Sequence, residues 1–339
     1  MRVTLKAIAA KANVSTMAVS AALNNTTGVR LSAEKREHIR KIAAEMGYRP
    51  NILAQKLSGG KSHLLGVIVD SCAPESIFQI LRSVEAEAAR NNYHVLAAEQ
   101  HNSLKRITEI CDIFDQYGVD GIVCLAHDYP SCREELQGVF RQIKNIVFWE
   151  QPYGIEAPYV SIDMTDALTQ IAAGWKKTGR KHAAMLVNST PNNFILSRIN
   201  AFRNICREFA LDFSVAEIPA VSGSTGALEL IPAKIREEFI PGGVDAVLAE
   251  SDLWALYLMR ALSRQGLRVP DDIAVVGYDN TPECLVPQPE LASISIRSDQ
   301  LGQKLAETFF AVLQNGKVEN SCVAAEFFPR GSCGWKDIE

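Results

Sequence analysis

From residue 64 to residue 328 the chain alternates short apolar runs with helix-length amphipathic stretches, and no other feature restricts its fold as strongly. Leu64-Leu65-Gly66-Val67-Ile68-Val69 is a continuous apolar run closed by Asp70, the pattern of a strand buried on both faces. Similar runs lie at 93–98, 119–125, 145–149, 182–187, 213–218, 244–249 and 273–277, each separated from the next by a helix-length segment. Strands joined through helices pair in parallel by right-handed crossovers, which makes an open, doubly wound sheet. These units are too many for one such sheet. The pattern therefore predicts two α/β lobes, with the chain changing lobe around 161–165, then a short strand at 292–296, a helix at 298–315 and a last strand at 323–328.

Ligands of open α/β sheets bind beyond the carboxyl ends of the strands. Asp70, Glu150 and Asp279 each follow an apolar run, and Ser251 with Asp252 stands just past 247–249. If the two lobes face one another, these ends converge on one cleft suited to a small polar ligand. Asp or Ser at a strand end also serves as a helix cap, and the sequence leaves both roles open for Asp70 and Asp252.

The first 62 residues differ in charge and in period. They hold eleven Lys and Arg against three acids, a net of plus eight; the whole chain is formally minus four, so the remainder carries minus twelve. A basic module on an acidic body is the electrostatic footprint of nucleic acid binding, because its cations displace counterions from phosphates. Within it, Leu5, Ile8, Ala9 and Ala12 recur at helical spacing. Asn13-Val14 breaks the pattern, and Ser15 opens a second helix through Val19, Ala22 and Leu23. Ser32 is placed to cap a third, with Ile39, Ile42, Ala43 and Met46 as its apolar stripe and Gly47-Tyr48 as its stop. This is a helix-turn-helix. Pro50 and the Gly59-Gly60 pair then isolate residues 51–57 as a linker.

In their order and spacing several strings resemble the LacI/GalR family of bacterial transcription regulators along nearly the whole chain. They include Thr4-Leu5-Lys6-Ala7-Ile8-Ala9, Gly47-Tyr48-Arg49-Pro50-Asn51, Val119-Asp120-Gly121-Ile122, Val160-Ser161-Ile162-Asp163, Arg198 with Phe202, and Val275-Val276-Gly277-Tyr278-Asp279. The resemblance implies a three-helix DNA-binding head at 1–48 and a hinge linker at 49–63, whose hinge helix is 51–57. Two doubly wound lobes like those of periplasmic binding proteins follow, one at 64–162 plus about 294–321, the other at 163–293 plus about 322–339. It also implies a homodimer that reads a double-stranded operator as a repressor under the control of a sugar or sugar derivative. The second helix would enter the major groove with Thr16, Met17, Ser20 and Ala21 at the base edges, and Lys6, Ser15 and Asn24 at phosphates. Asn51, Ala54 and Leu57 would belong to the hinge, with Leu57 a wedge in a minor-groove step. Asp70, Glu150, Asp163, Arg198, Ser251, Asp252 and Asp279 would surround the effector.

Some residues depart from the family pattern. Ala21 stands where many members have arginine, which moves operator readout toward apolar contact by Met17 or Ala21 with a thymine methyl. Ala7 replaces a common acidic residue, and Ser251 a frequent asparagine. The segment 221–226 lacks the aromatic ring that often stacks on the ligand, leaving Trp149 or Trp254 as substitutes.

Other function classes find little support. Gly60-Lys61-Ser62 looks like the tail of a phosphate-binding loop, but the glycine such a loop needs five residues earlier is Gln55. No dinucleotide fingerprint follows the first strand, and neither the H-E-x-x-H nor the G-x-S-x-G pattern is found. The six histidines and eight cysteines show no ligand spacing. We therefore expect no enzyme, cofactor or metal, no membrane segment, reduced thiols, and a cytoplasmic protein that joins the nucleoid when bound to DNA. The competing reading is a sugar-binding or metabolic α/β protein with an incidental basic tail.

Overall fold

The computed structural model describes residues 3–24, 31–48, 61–70, 75–100, 103–126, 132–189, 193–219, 225–314, 316 and 318–335. It divides into two compact units, Met1–Ser62 and His63–Glu339.

The first unit holds three described helices, and Ser15 and Ser32 begin theirs as the sequence suggests. Thr4 caps α1 (Leu5–Ala12) by accepting from the Ala7 amide. Asn13 turns the chain through the left-handed region (φ 52°), which asparagine tolerates. Ser15 accepts from the Ala18 amide at 3.1 Å to open α2 (Thr16–Asn24), and Ser32 from the Lys35 amide to open α3 (Ala33–Glu45). Ile8, Val19 and Ile39 are fully buried where the three helices meet. Two arginines of α3 reach the end of α2: Arg36 Nη1 donates to the Ala21 carbonyl at 2.9 Å, Arg40 Nε to that of Ala22 at 3.2 Å. They satisfy carbonyls that a helix end leaves without partners and place cations at its negative pole. The expected hinge helix, with Asn51, Ala54 and Leu57, lies outside the described residues.

The second unit contains two sheets of the same design. In the first lobe, β1 (Leu64–Asp70), α4 (Glu75–Arg90), β2 (His94–Gln100), α5 (Leu104–Tyr117), β3 (Gly121–Cys124), α6 (Arg133–Phe140), β4 (Ile146–Trp149) and β5 (Tyr159–Asp163) follow in turn. With β11 (Ser321–Ala324) they give the order β11-β5-β4-β3-β1-β2, parallel throughout. The second lobe runs through α7 (Thr165–Lys177), β6 (His182–Asn188), α8 (Asn193–Glu208), β7 (Asp212–Ile218), α9 (Thr225–Lys234), β8 (Ala246–Ala249), α10 (Asp252–Arg264), β9 (Ala274–Tyr278) and β10 (Ala292–Ser295). With β12 (Glu326–Phe328) its order is β12-β10-β9-β8-β6-β7, and only β12 is antiparallel. In both sheets strand order reverses beside the first strand, β1 or β6, so each lobe has a topological switch point at its strand ends.

The chain passes between lobes after β5, after β10 and between β11 and β12. The second passage returns it to the first lobe as α11 (Ser298–Leu313), which packs on α4. A Cβ at Gly302 would lie 2.5 Å from the Ile80 carbonyl oxygen, so the two helices approach this closely only over glycine.

Two sequence expectations change. The strand β5 was not anticipated as one, because only Val160 and Ile162 of its five residues are buried and no apolar run marks it. The last strand, expected as one piece over 323–328, is two. Val323 pairs with Ile162 in the first sheet, whereas Phe327 and Phe328 pair with β10 in the second. Residues 322–324 therefore lie with the first lobe, not the second. A short apolar run does not reveal which sheet takes it up, since both offer an open edge.

Candidate effector site and DNA-contact surface

On the head, the start of α2 stands clear of the core. Lys6, Ser15 and Thr16 are exposed and Met17 is 68% exposed, while Ser20 is half-buried. Ala21 is different: it is 1% exposed, and its carbonyl is held by Arg36. A methyl group almost wholly covered within the head does not face a base edge, so that expectation for Ala21 is corrected. The side chain of Asn24 lies outside the described residues.

In the second unit the ends of β4, β8 and β9 bring acidic groups around one arginine. Arg198 sits in the interior turns of α8 and is 2% exposed. Its guanidinium lies 3.4 Å from the centre of the Tyr278 ring and 4.5 Å from that of Phe194, and its Nη1 donates to the Glu250 carbonyl at 3.1 Å. Aromatic faces attract a desolvated cation strongly. Glu150, at the end of β4, is within electrostatic reach of this guanidinium, as are Glu250, at the end of β8, and Asp279, after β9.

Burial works against the charge of each acid. It pushes Glu150 up to about 7, opposed by the Ile162 amide, which Oε1 accepts at 2.8 Å, and by Arg198. It raises Glu250 too, although that carboxylate accepts the Asn188 amide at 2.8 Å. Asp279 is pushed up to about 8 by burial and then by the charge of Asp252. Ser76 of α4, buried in the opposite lobe, lies close enough to favour ionised Asp279 without meeting hydrogen-bond geometry. Glu150 (φ 65°) and Asp279 (φ 105°) both hold backbone conformations that L-residues rarely adopt. Strain of this kind persists where surrounding structure over-determines it, and it concentrates at binding sites.

Three expected effector residues are otherwise engaged. Ser251 caps α10 by accepting from the Trp254 amide. Asp252 is 1% exposed; Oδ2 accepts the Thr281 amide at 2.7 Å and Oδ1 the Ser293 hydroxyl at 2.5 Å. It staples the turn after β9 from inside the lobe instead of facing a ligand, and a Cβ at Gly277 would fall 2.2 Å from its Oδ1. Asp163 accepts the Thr165 amide at 3.0 Å as α7 begins, a bond that holds its carboxyl below the usual range. Ser251 and Asp163 each hold an amide at the start of the helix that follows them. Asp70, at the end of β1, is buried.

Sequence reasoning passed over Glu250, Phe194 and Tyr278. The strand-end argument that marked Glu150 would also have found Glu250. Phe194 and Tyr278 carry no local signal, since an aromatic in an apolar pattern reads as core. Of the two tryptophans considered, Trp149 stands against Phe194, ring centres 5.5 Å apart, while Trp254 packs on the core of the second lobe. Among the described residues no cluster of His, Cys, Asp and Glu could hold a metal ion, and no helix is long and apolar enough to cross a membrane.

Comparison with known proteins agrees with this division. Residues 4–51 match the family described as bacterial regulatory proteins, lacI family, and residues 172–333 match a periplasmic binding protein-like domain. The HTH-type transcriptional regulator DegA of Bacillus subtilis (strain 168) is 23% identical over 91% of this chain and 90% of its own. The ribose operon repressor of the same organism is 25% identical over 94% of each. The repressor PurR of Klebsiella pneumoniae subsp. pneumoniae is 26% identical over 96% of this chain and 94% of its own. Among solved structures, the Lac repressor dimer bound to operator and an anti-inducer superposes with a TM-score of 0.85 at 22% identity, covering 98% of this chain and 99% of that one. A complex of the transcriptional regulator CelR with cellobiose gives 0.69 at 21%, covering 98% and 100%. The chain thus joins a head that matches the lacI family of bacterial regulatory proteins to a body that matches a periplasmic binding protein-like domain.

Proposed function

We propose that this protein is a cytoplasmic, homodimeric transcriptional repressor whose affinity for its operator is set by a small polar effector held between the two α/β lobes. The observation that carries the reading is one chain joining the exposed start of α2 to a buried arginine ringed by carboxyls at facing strand ends. Met17 and Thr16 meet base edges in the major groove with Ser20 beside them, Lys6, Ser15 and Asn24 meet phosphates, and Asn51, Ala54 and Leu57 form the hinge contact. The effector contacts are Arg198, Asp279, Glu150 and Asp70. A carboxylate takes hydroxyl donors and the guanidinium donates back, which suits a sugar or sugar derivative. The cellobiose complex of CelR and the name of the ribose operon repressor support that class.

Control needs only that the effector bind two lobe arrangements with different affinity. The test is selection of genomic fragments by the purified protein, followed by sequencing of what it retains. Recovery of a palindromic site enriched over bulk DNA is expected, and retention without any preferred sequence would remove the proposal. Removal of residues up to Ser62 separates it from a metabolic protein with a basic tail, since only a metabolic role would survive.

A further inference from the structure

Beside the strand ends, the first lobe contains a second small chamber. It lies between the end of β4, α6 and the segment after Glu150, and Phe194 of the second lobe closes it. Its walls include Phe140, Phe148, Trp149, Tyr153 and Phe194, with Glu150 the carboxylate among them. Phe140 and Phe148 meet edge to face with ring centres 5.3 Å apart, as Trp149 and Phe194 meet on the other side. Oε1 of Glu150 takes the Ile162 amide, and Oε2 accepts no hydrogen bond among the described residues. Its volume is about 40 Å³. That holds a few waters or a short alkyl group with a charged head, and falls well short of the ~150 Å³ that admits a benzene ring.

Aromatic walls with a carboxylate are the arrangement that recognises alkylammonium groups, since ring faces attract a cation whose hydration has been stripped away. Glu150, Glu250 and Asp279 share the inner guanidinium of Arg198, and Asp252 adds its own charge to Asp279. Arg133, also at the chamber, lies over the outer Tyr153 ring at 4.7 Å.

We propose that this chamber is a subsite for a small alkylammonium group, held between the aromatic rings with Glu150 as its counter-ion. The binding claim stands by itself; its effect on DNA rests on the sensing role proposed above. The group comes from one of two sources, a free amine or an amino substituent on a polar effector in the adjoining cleft. Phe194 belongs to the lobe opposite the other walls, so an occupant would touch both lobes.

Calorimetric titration of the full chain at pH 8 with n-propylammonium, 1-propanol, 6-amino-6-deoxyglucose and glucose tests it. Propylammonium is expected to bind about tenfold more tightly than 1-propanol. A matching preference for 6-amino-6-deoxyglucose over glucose assigns the group to a polar effector; its absence assigns it to a free amine. The charge preference is expected to fall about tenfold between pH 8 and pH 6 as Glu150 gains its proton, and to be lost in Glu150→Gln. The charged and titratable groups facing Glu150 are Arg198 of α8, Arg133 of α6, Tyr153 in the following segment, and Tyr278 and Asp279 at the end of β9. Of these, Asp279 is, like Glu150, a carboxyl that burial pushes into that range. Equal binding of 1-propanol, no binding of either amine, or a preference that survives in Glu150→Gln overturns the proposal. None of these outcomes touches operator selection, which fails only if the regulatory reading is wrong.

Discussion

The strand ends of the two lobes start from the same chemistry and put it to different use. In the first lobe Glu150 ends β4 with one carboxylate oxygen on a backbone amide and the other left open on an aromatic chamber. In the second, Asp252 has both oxygens taken inside the lobe, and Asp279 is buried beyond it under the influence of that charge. The difference teaches that a carboxyl at a strand end is available to a ligand only where the local turn leaves its oxygens unclaimed. Side-chain length decides much of this: Asp252 reaches the Thr281 amide and stops, while the longer Glu150 crosses to β5 and still presents Oε2.

The largest effect should come from breaking the second-lobe staple. Asp252→Ala strands the Thr281 amide and the Ser293 hydroxyl and should lower unfolding stability by about 3 kcal/mol in denaturant titration. Gly277→Ala places a Cβ against Asp252 Oδ1 and should cost about 2 kcal/mol. In the double variant part of that cost should vanish, because the clashing atom is gone; strict additivity would count against the staple.

The first-lobe carboxyl should show itself through pH. Glu150 keeps its proton in the folded state up to about 7, whereas the unfolded chain loses it near 4.5. Its contribution is therefore fullest below 4.5 and declines as pH rises to about 7, by roughly 2 to 3 kcal/mol. Glu150→Gln should flatten the slope of stability against pH across that window, and an unchanged slope would mean that another group sets it. Ser251→Ala should cost about 1 kcal/mol as a lost helix cap and leave any effector response intact. Loss of the response with stability unchanged would return Ser251 to the ligand. Met17→Ala should be the mildest for the fold, within about 0.5 kcal/mol, while weakening operator preference in a binding assay.

The architecture was largely legible in the sequence because apolar runs and helix caps are local signals. Ser15 and Ser32 announce their helices, and the strand at 64–69 announces the first sheet. The β5 strand and the division at Ala325 escaped, since pairing partners of a short half-buried strand are not written in its own residues. Within the site, Arg198, Glu150 and Asp279 could be named from resemblance. That Asp252 is an internal staple could not, because it depends on Thr281 and Ser293, which reach it only through the fold. Ala21 was misjudged for a similar reason: its burial is set by how the head packs, not by its own residues.

The central claim, that the basic head reads a specific sequence, is tested most directly by fluorescence anisotropy of the full chain on its selected fragment and on bulk DNA between 50 and 200 mM salt. The account predicts that affinity for both falls steeply with salt, as phosphate contacts require, while the selected fragment stays at least ~10³-fold preferred. Equal affinity for the two at every salt concentration would contradict it.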